Sequence, residues 1–166
     1  MQPRRLLVIR HAKAEQGGAT DAERRLAEKG ARHAAEVGAR LAEHDLRPDH
    51  ALVSSAVRAV ETWEALAGGA GWELEPEVSR ALYTAEPETA LDLVREVGDA
   101  VTVALVGHNP TMGSMAQLLD DGEGDDDAGA ELATRGFPTG AVAVFEHDGA
   151  WADLAWGSAR LVAFHT

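Results

Sequence analysis

Leu6, Leu7, Val8 and Ile9 form an unbroken apolar run that ends abruptly at Arg10-His11. A short apolar run between polar residues reads as a strand buried on both faces. Beyond a Gly-rich loop, Leu26, Ala34, Val37 and Leu41 follow at helical spacing with charge between them. Thr20 and Glu23 stand at capping-box spacing, so one helix is expected from there to about Asp45, interrupted near Gly30. Residues 47–55 predict a turn and a second buried strand, followed by a helix with Ser55 as N-cap and Trp63 facing inward. A Gly-rich turn, a short extended piece and an irregular connection lead to a helix that starts at Pro87 and is capped by Gly98. Val101, Val103, Leu105 and Val106 mark the strongest strand, and Pro110 opens the next helix behind Asn109 as N-cap. Residues 121–131 read as an acidic surface loop, and residues 140–157 as a β-hairpin turning at His147-Asp148-Gly149.

Strands alternating with helices predict an α/β fold, a mainly parallel central sheet covered by helices on both faces in three α/β/α layers. No internal repeat or linker divides the chain, so residues 1–166 are expected to form one domain. Composition narrows the function. With 45% hydrophobic and 26% charged residues the chain is globular in character. It has no cysteine, which excludes disulfides and thiolate chemistry and fits a cytoplasmic location. The apolar run near the N-terminus is too short for a signal-peptide core or a membrane span. A formal net charge of −13 repels nucleic acid and anionic lipid, so neither is an expected partner. An anionic ligand needs a local basic pocket.

Such a pocket is written at the strand ends. Ligands of open α/β sheets bind beyond the carboxyl ends of the strands. The first strand delivers Arg10 and His11. The second ends in Ser54-Ser55, with Arg58 in the first turn of the next helix. The third ends in Gly107-His108-Asn109-Pro110. Taken singly, each has an ordinary explanation: a strand surfacing, a helix-surface arginine, a turn whose Asn caps a helix. Their coincidence at equivalent strand ends does not. Two Arg, two His and two helix N-termini converge, and guanidinium forks and free backbone N–H groups favour phosphate.

This constellation resembles the histidine phosphatase superfamily, the group that includes the phosphoglycerate mutases. The residues that carry the resemblance are "RHA" (10–12), "SSAVRAVET" (54–62, with Arg58, Ala59 and Thr62 in phase) and "GHNP" (107–110). The stretch "DAERRLAEKG" (21–30) and the short chain make it similar to the small SixA-like phosphohistidine phosphatase branch. Ala12 stands where the family usually has Gly. The resemblance implies a phosphoglycerate mutase-like fold, with His11 as nucleophile forming a phosphohistidine that water hydrolyses. It implies Arg10, Arg58 and His108 as the catalytic clamp on the phosphoryl oxygens, and neither metal nor cofactor.

The residue chemistry agrees. Neutral imidazole is nucleophilic near pH 7, and neighbouring Arg charges lower its pKa. Lys13, Asn109 and Arg24 are candidates for the substrate-binding rim, and Thr111 for a further hydrogen bond from the helix start. The mutase-like branches carry an acidic proton donor in the connection that here reads "SRALYTAEPET"; Glu86 is the candidate, with Glu88 beside it. A phosphohistidine can leave as neutral imidazole without strong acid help, whereas an alkyl ester benefits from one. A weak or absent acid therefore points to an activated substrate: phosphohistidine in a protein, an aryl phosphate or an anhydride. A small-molecule phosphomonoesterase, or a catalytically weak module that binds phosphate or phosphoproteins, are the alternative readings.

Overall fold

The computed structural model describes residues 2–166. Six strands form one sheet in the order β3-β2-β4-β1-β5-β6. They are β1 (Arg4–Arg10), β2 (His50–Ser54), β3 (Glu77–Ser79), β4 (Thr102–Gly107), β5 (Val142–His147) and β6 (Arg160–His165). The first four run parallel, while β5 is antiparallel to β1 and β6 to β5. The helices are α1 (Glu28–Glu43), α2 (Val57–Ala70), α3 (Arg80–Tyr83), α4 (Pro87–Arg95), α5 (Thr111–Leu119) and α6 (Asp126–Arg135). This is the three-layer, mainly parallel architecture expected.

The apolar runs explain the layering. Along β1, Leu6 and Val8 enter one core while Leu7 and Ile9 enter the other. Val103 and Leu105 of β4 split from Ala104 and Val106 in the same way, as the two-residue period of a strand requires. One core is completed by α1 and α2, the other by α4, α5 and α6. The β1–β2 connection therefore crosses one face through α1, and the β3–β4 connection crosses the other through α4. A crevice opens where the crossovers part, at the carboxyl ends of the central strands.

Several local expectations are corrected. The helix expected from Thr20 begins only at Glu28. Residues 21–23 form a single 3-10 turn, Thr20 hydrogen-bonds the Glu23 side chain instead of capping, and Leu26 bridges Ala14. The N-cap of α2 is Ala56, not Ser55, and carries no side-chain cap. Ser54 supplies the hydroxyl instead, accepting from Ala56 N–H at 3.3 Å. The N-cap position of α5 is Pro110, although Asn109 Oδ1 still accepts from Gly113 N–H at 3.1 Å. The Asn109–Pro110 peptide is cis. The acidic stretch is only partly a loop: Asp125 caps α6 by accepting from Ala128 N–H at 2.8 Å, and Asp126 and Asp127 complement the helix N-terminus. The tight hairpin is replaced by a longer excursion. Residues 151–153 make a 3-10 turn that buries Trp151, and the returning strand is Arg160–His165.

Candidate active site

Register brings the three strand ends together. Arg10 of β1 pairs with Gly107 of β4, and Val53 of β2 with Val106. His11, His108 and the turn into α2 therefore leave the sheet side by side, at strand spacings of about 4.8 Å. The His11 and His108 ring centroids lie 5.2 Å apart, tilted by 56°.

Each imidazole is oriented by one hydrogen bond. His11 Nδ1 lies 2.8 Å from the Ala12 carbonyl oxygen. A carbonyl can only accept, so Nδ1 carries the proton and Nε2 keeps its lone pair. His108 Nε2 lies 2.7 Å from Ser54 Oγ. The Ser54 hydroxyl is fully buried and has no other acceptor among the described residues, so it donates to Nε2 and leaves the His108 proton on Nδ1. Both imidazoles are pushed down to about 4. Burial is the main cause for each. The Arg58 and Arg10 charges act in the same direction, and the proximity of His11 adds to the effect on His108. The arginine effect expected from the sequence is present but secondary.

The methyl group of Ala12 is buried in the α1–α2 core, and its backbone does not need the left-handed conformation that would demand glycine. Its N–H donates to Thr62 Oγ1 at 3.0 Å, and Thr62 Oγ1 donates to the Arg58 carbonyl at 2.7 Å. Behind His11, Gly140 N–H reaches the Arg10 and His11 carbonyls at 3.1 and 3.0 Å. Gly140 has φ +78°, and a Cβ there would stand 2.7 Å from the His33 ring, so glycine is required.

Arg58 is only 7% exposed, yet two of its nitrogens are already engaged. Nη1 donates to the Asp21 carbonyl at 2.8 Å and Nη2 to Asp21 Oδ2 at 3.0 Å. Arg10 Nη1 donates to the Phe137 carbonyl at 3.1 Å. Arg58 Nε, Arg10 Nε and His108 Nδ1 remain: three buried donors without a hydrogen-bond partner among the described residues. Four further buried nitrogens without a hydrogen-bond partner, Arg4 Nε, His50 Nε2, His147 Nδ1 and His165 Nε2, belong to other parts of the fold; the three on Arg10, Arg58 and His108 belong to the residues of these strand ends and suit an acceptor-rich ligand.

Asp21 is the hub of the rim. Its Oδ2 also accepts from Tyr83 Oη at 2.6 Å, and Oδ1 from Arg24 Nη1 at 3.1 Å. The Tyr83 and Arg58 hydrogen bonds hold its carboxyl far below the usual range. The Tyr83 ring in turn meets His108 edge-on, with centroids 5.6 Å apart. Sequence reasoning did not assign Asp21, Thr62, Ser54 or Tyr83. Asp21 and Thr62 lie inside the quoted motifs, and Tyr83, the chain's single tyrosine, lies in the stretch searched for an acid.

Lys13 is exposed. Arg24 belongs to the rim, donating to the Glu15 carbonyl at 2.9 Å as well as to Asp21. Asn109 has both ends occupied, since its Nδ2 donates to the Phe137 carbonyl at 2.8 Å. Thr111 Oγ1 donates to the Ala85 carbonyl at 2.7 Å, tying the α4 entry to α5. Glu86 is exposed at the N-cap of α4, and Glu88 accepts from Trp156 Nε1 at 2.7 Å.

Residues 6–86 match the model of the histidine phosphatase superfamily, branch 1. An uncharacterized protein of Mycobacterium tuberculosis is 38% identical over 159 residues, covering 95% of this chain and 98% of its own. Among solved structures, a SixA-type protein from Nakamurella multipartitia has a TM-score of 0.86 and 31% identity, covering 100% of this chain and 97% of its own. A second, from Agrobacterium tumefaciens, has a TM-score of 0.81 and 31% identity over 100% and 99% of the two chains. Together with three strand ends that gather two imidazoles and two guanidinium groups, these likenesses lead to one conclusion: the chain belongs to the histidine phosphatase superfamily, in its SixA-like branch.

Proposed function

We propose that this phosphatase removes a phosphoryl group from phosphohistidine in a protein, through a covalent phosphohistidine on His11. The observation that carries the reading is the trio of unpartnered buried donors, Arg10 Nε, Arg58 Nε and His108 Nδ1, beside an imidazole whose Nε2 is free to attack. Catalysis of phosphoryl transfer is mostly positioning and charge stabilisation, and these donors would hold the equatorial oxygens. In this reading Lys13 extends the substrate-binding rim, and Asn109 holds the turn that presents His108.

The proton balance closes without a strong acid. His11 Nε2 forms a bond to phosphorus as the substrate's N–P bond breaks, and the leaving imidazole departs neutral because its remote nitrogen already bears a proton. Water then adds its oxygen to phosphorus, the electron pair of the His11–phosphorus bond returns to Nε2, and dihydrogen phosphate gives its extra proton to solvent. Asp21 is held ionised by its hydrogen bonds and cannot donate. The Tyr83 hydroxyl is bound to Asp21, which raises its pKa. Glu86 is exposed at the N-cap of α4 and makes no side-chain capping hydrogen bond there. Activated phosphates are thus favoured over alkyl esters. The two SixA-type neighbours, both above 30% identity, support the same substrate class, and the cysteine-free chain is consistent with cytoplasmic work.

The test compares wild type and His11→Ala on a phosphohistidine protein and on an aryl phosphate. Wild type should release phosphate from both and accumulate an acid-labile, base-stable phosphoenzyme that His11→Ala lacks. Equal turnover by the two proteins, or none by either, refutes the reading.

A further inference from the structure

A groove lies away from the imidazoles, between α2 and the segment leading into β3. It encloses about 630 Å³. Its floor is apolar, built on the stacked pair Trp63 and Trp72, whose rings lie 6.0 Å apart, together with Leu74. Glu64, Glu73 and Glu75 rim it, no Lys or Arg lines it, and none of the three has an ion-pair partner among the described residues. Val78 borders it and is 52% exposed, the most of any large hydrophobic residue described.

The backbone beside this groove is open as well. β3 is the outermost strand on its side of the sheet. The Ser79 carbonyl accepts Ser55 N–H at 3.1 Å, so Ser79 turns its hydrogen-bonding groups toward β2. Alternation along a strand then turns the N–H and C=O of Val78 outward, where an added strand would pair.

We infer that this edge receives an extended segment of the protein substrate in which basic and apolar residues alternate. The inference rests on the reading of the substrate as a phosphohistidine-bearing protein. Pairing at Val78 would lay apolar side chains on the tryptophan floor and Lys or Arg side chains against the carboxylates. The geometry sets the spacing. An added strand lies four strand spacings from β1, about 19 Å at about 4.8 Å each, which an extended chain spans in about six residues.

The experiment uses synthetic peptides with one phosphohistidine, a six-residue Gly-Ser spacer and either an alternating Lys-Val or an alternating Glu-Val segment. para-Nitrophenyl phosphate reports the catalytic site independently. Wild type should prefer the Lys-Val peptide by about tenfold in kcat/KM at low salt, the sum of a few exposed charge pairs. Glu73→Lys/Glu75→Lys should remove most of that preference. So should Val78→Pro, which deletes an outward N–H on an edge strand together with the exposed valine side chain. All variants should hydrolyse the aryl phosphate within about twofold of wild type. Equal rates on the two peptides, or a preference that survives both variants while aryl phosphate turnover persists, overturns the inference and leaves the phosphatase reading standing. Loss of all turnover in wild type overturns both. A concentration-dependent dimer that Val78→Pro dissolves, without peptide preference, assigns the edge to a second copy of this chain and also overturns the inference.

Discussion

Thr62→Val replaces one hydroxyl by a methyl of similar size at a fully buried position, and so isolates what that hydroxyl does. In wild type it accepts from Ala12 N–H at 3.0 Å and donates to the Arg58 carbonyl at 2.7 Å, joining the residue after His11 to Arg58. The Arg58 carbonyl keeps its helical bond in the variant, whereas Ala12 N–H is left buried and unpaired. That costs about 2 kcal/mol, within the range of about 1–3 kcal/mol for an unsatisfied buried donor. In a chain of this size about 2 kcal/mol lowers Tm by about 4–8 °C. Function should suffer separately. The Ala12 carbonyl fixes the His11 tautomer, and a shift of about 1 Å in a positioned group can cost ~10²-fold. kcat/KM on an aryl phosphate should therefore fall at least about tenfold, and Thr62→Ser, which keeps the hydroxyl, should recover most of both losses. The assays are thermal unfolding followed by circular dichroism and steady-state kinetics at a temperature where all three proteins are folded. An unchanged Tm refutes the stabilising bond. A lowered Tm with unchanged kcat/KM refutes the positioning of His11.

Stability should fall on mild acidification: His11 and His108 are neutral in the native state down to about 4, whereas unfolded histidine takes up its proton at about 6.5, so the unfolded chain binds more protons in that window. Lowering pH from 7 to 5 should cost about 2 kcal/mol per imidazole in urea unfolding, and a slope equally steep in His11→Asn would contradict neutral burial. Ser54→Ala removes the hydroxyl that places the His108 proton on Nδ1, and should lower kcat about tenfold and mix the His108 tautomers seen in imidazole 15N shifts; a single retained tautomer would show that Ser54 does not set it. Across a series of aryl phosphates, kcat/KM should fall steeply as the leaving phenol becomes more basic, because the carboxyl of Asp21 at the rim is held ionised, and a flat series would mean that an acid operates.

The layers of the fold were legible because buried parallel strands leave apolar runs that polar turns interrupt, as at Leu6–Ile9 and Val103–Val106. The boundaries that failed share a cause. Thr20 and Glu23 have the spacing of a cap, but tertiary demand for Asp21 at Arg58 and Tyr83 keeps that segment out of the helix. The hairpin failed because Trp151 is drawn into the core, with its Nε1 donating to the Ala100 carbonyl at 2.6 Å, and this holds the chain away from an immediate return. Local pattern carries no trace of either contact.

The site divides along the same line. Arg10, His11, Arg58 and His108 could be placed from sequence because strand ends in a parallel sheet share one edge by topology. What holds them depends on distance across the fold: Thr62 reaches back to Ala12 and Ser54 forward to His108, and a single carboxylate, Asp21, joins Arg58, Arg24 and Tyr83. The sequence places its candidates for an acidic residue at the site, Glu86 and Glu88, in the connection after β3. The structure brings a carboxylate to the rim from the opposite side, out of the loop after β1, and the connection after β3 supplies its hydrogen-bond donor, Tyr83, instead. Those bonds make Asp21 an anchor for the guanidinium and unsuited to proton transfer. The carboxylate at this rim aims a cation, and under the function proposed above the leaving group must depart with little help from an acid.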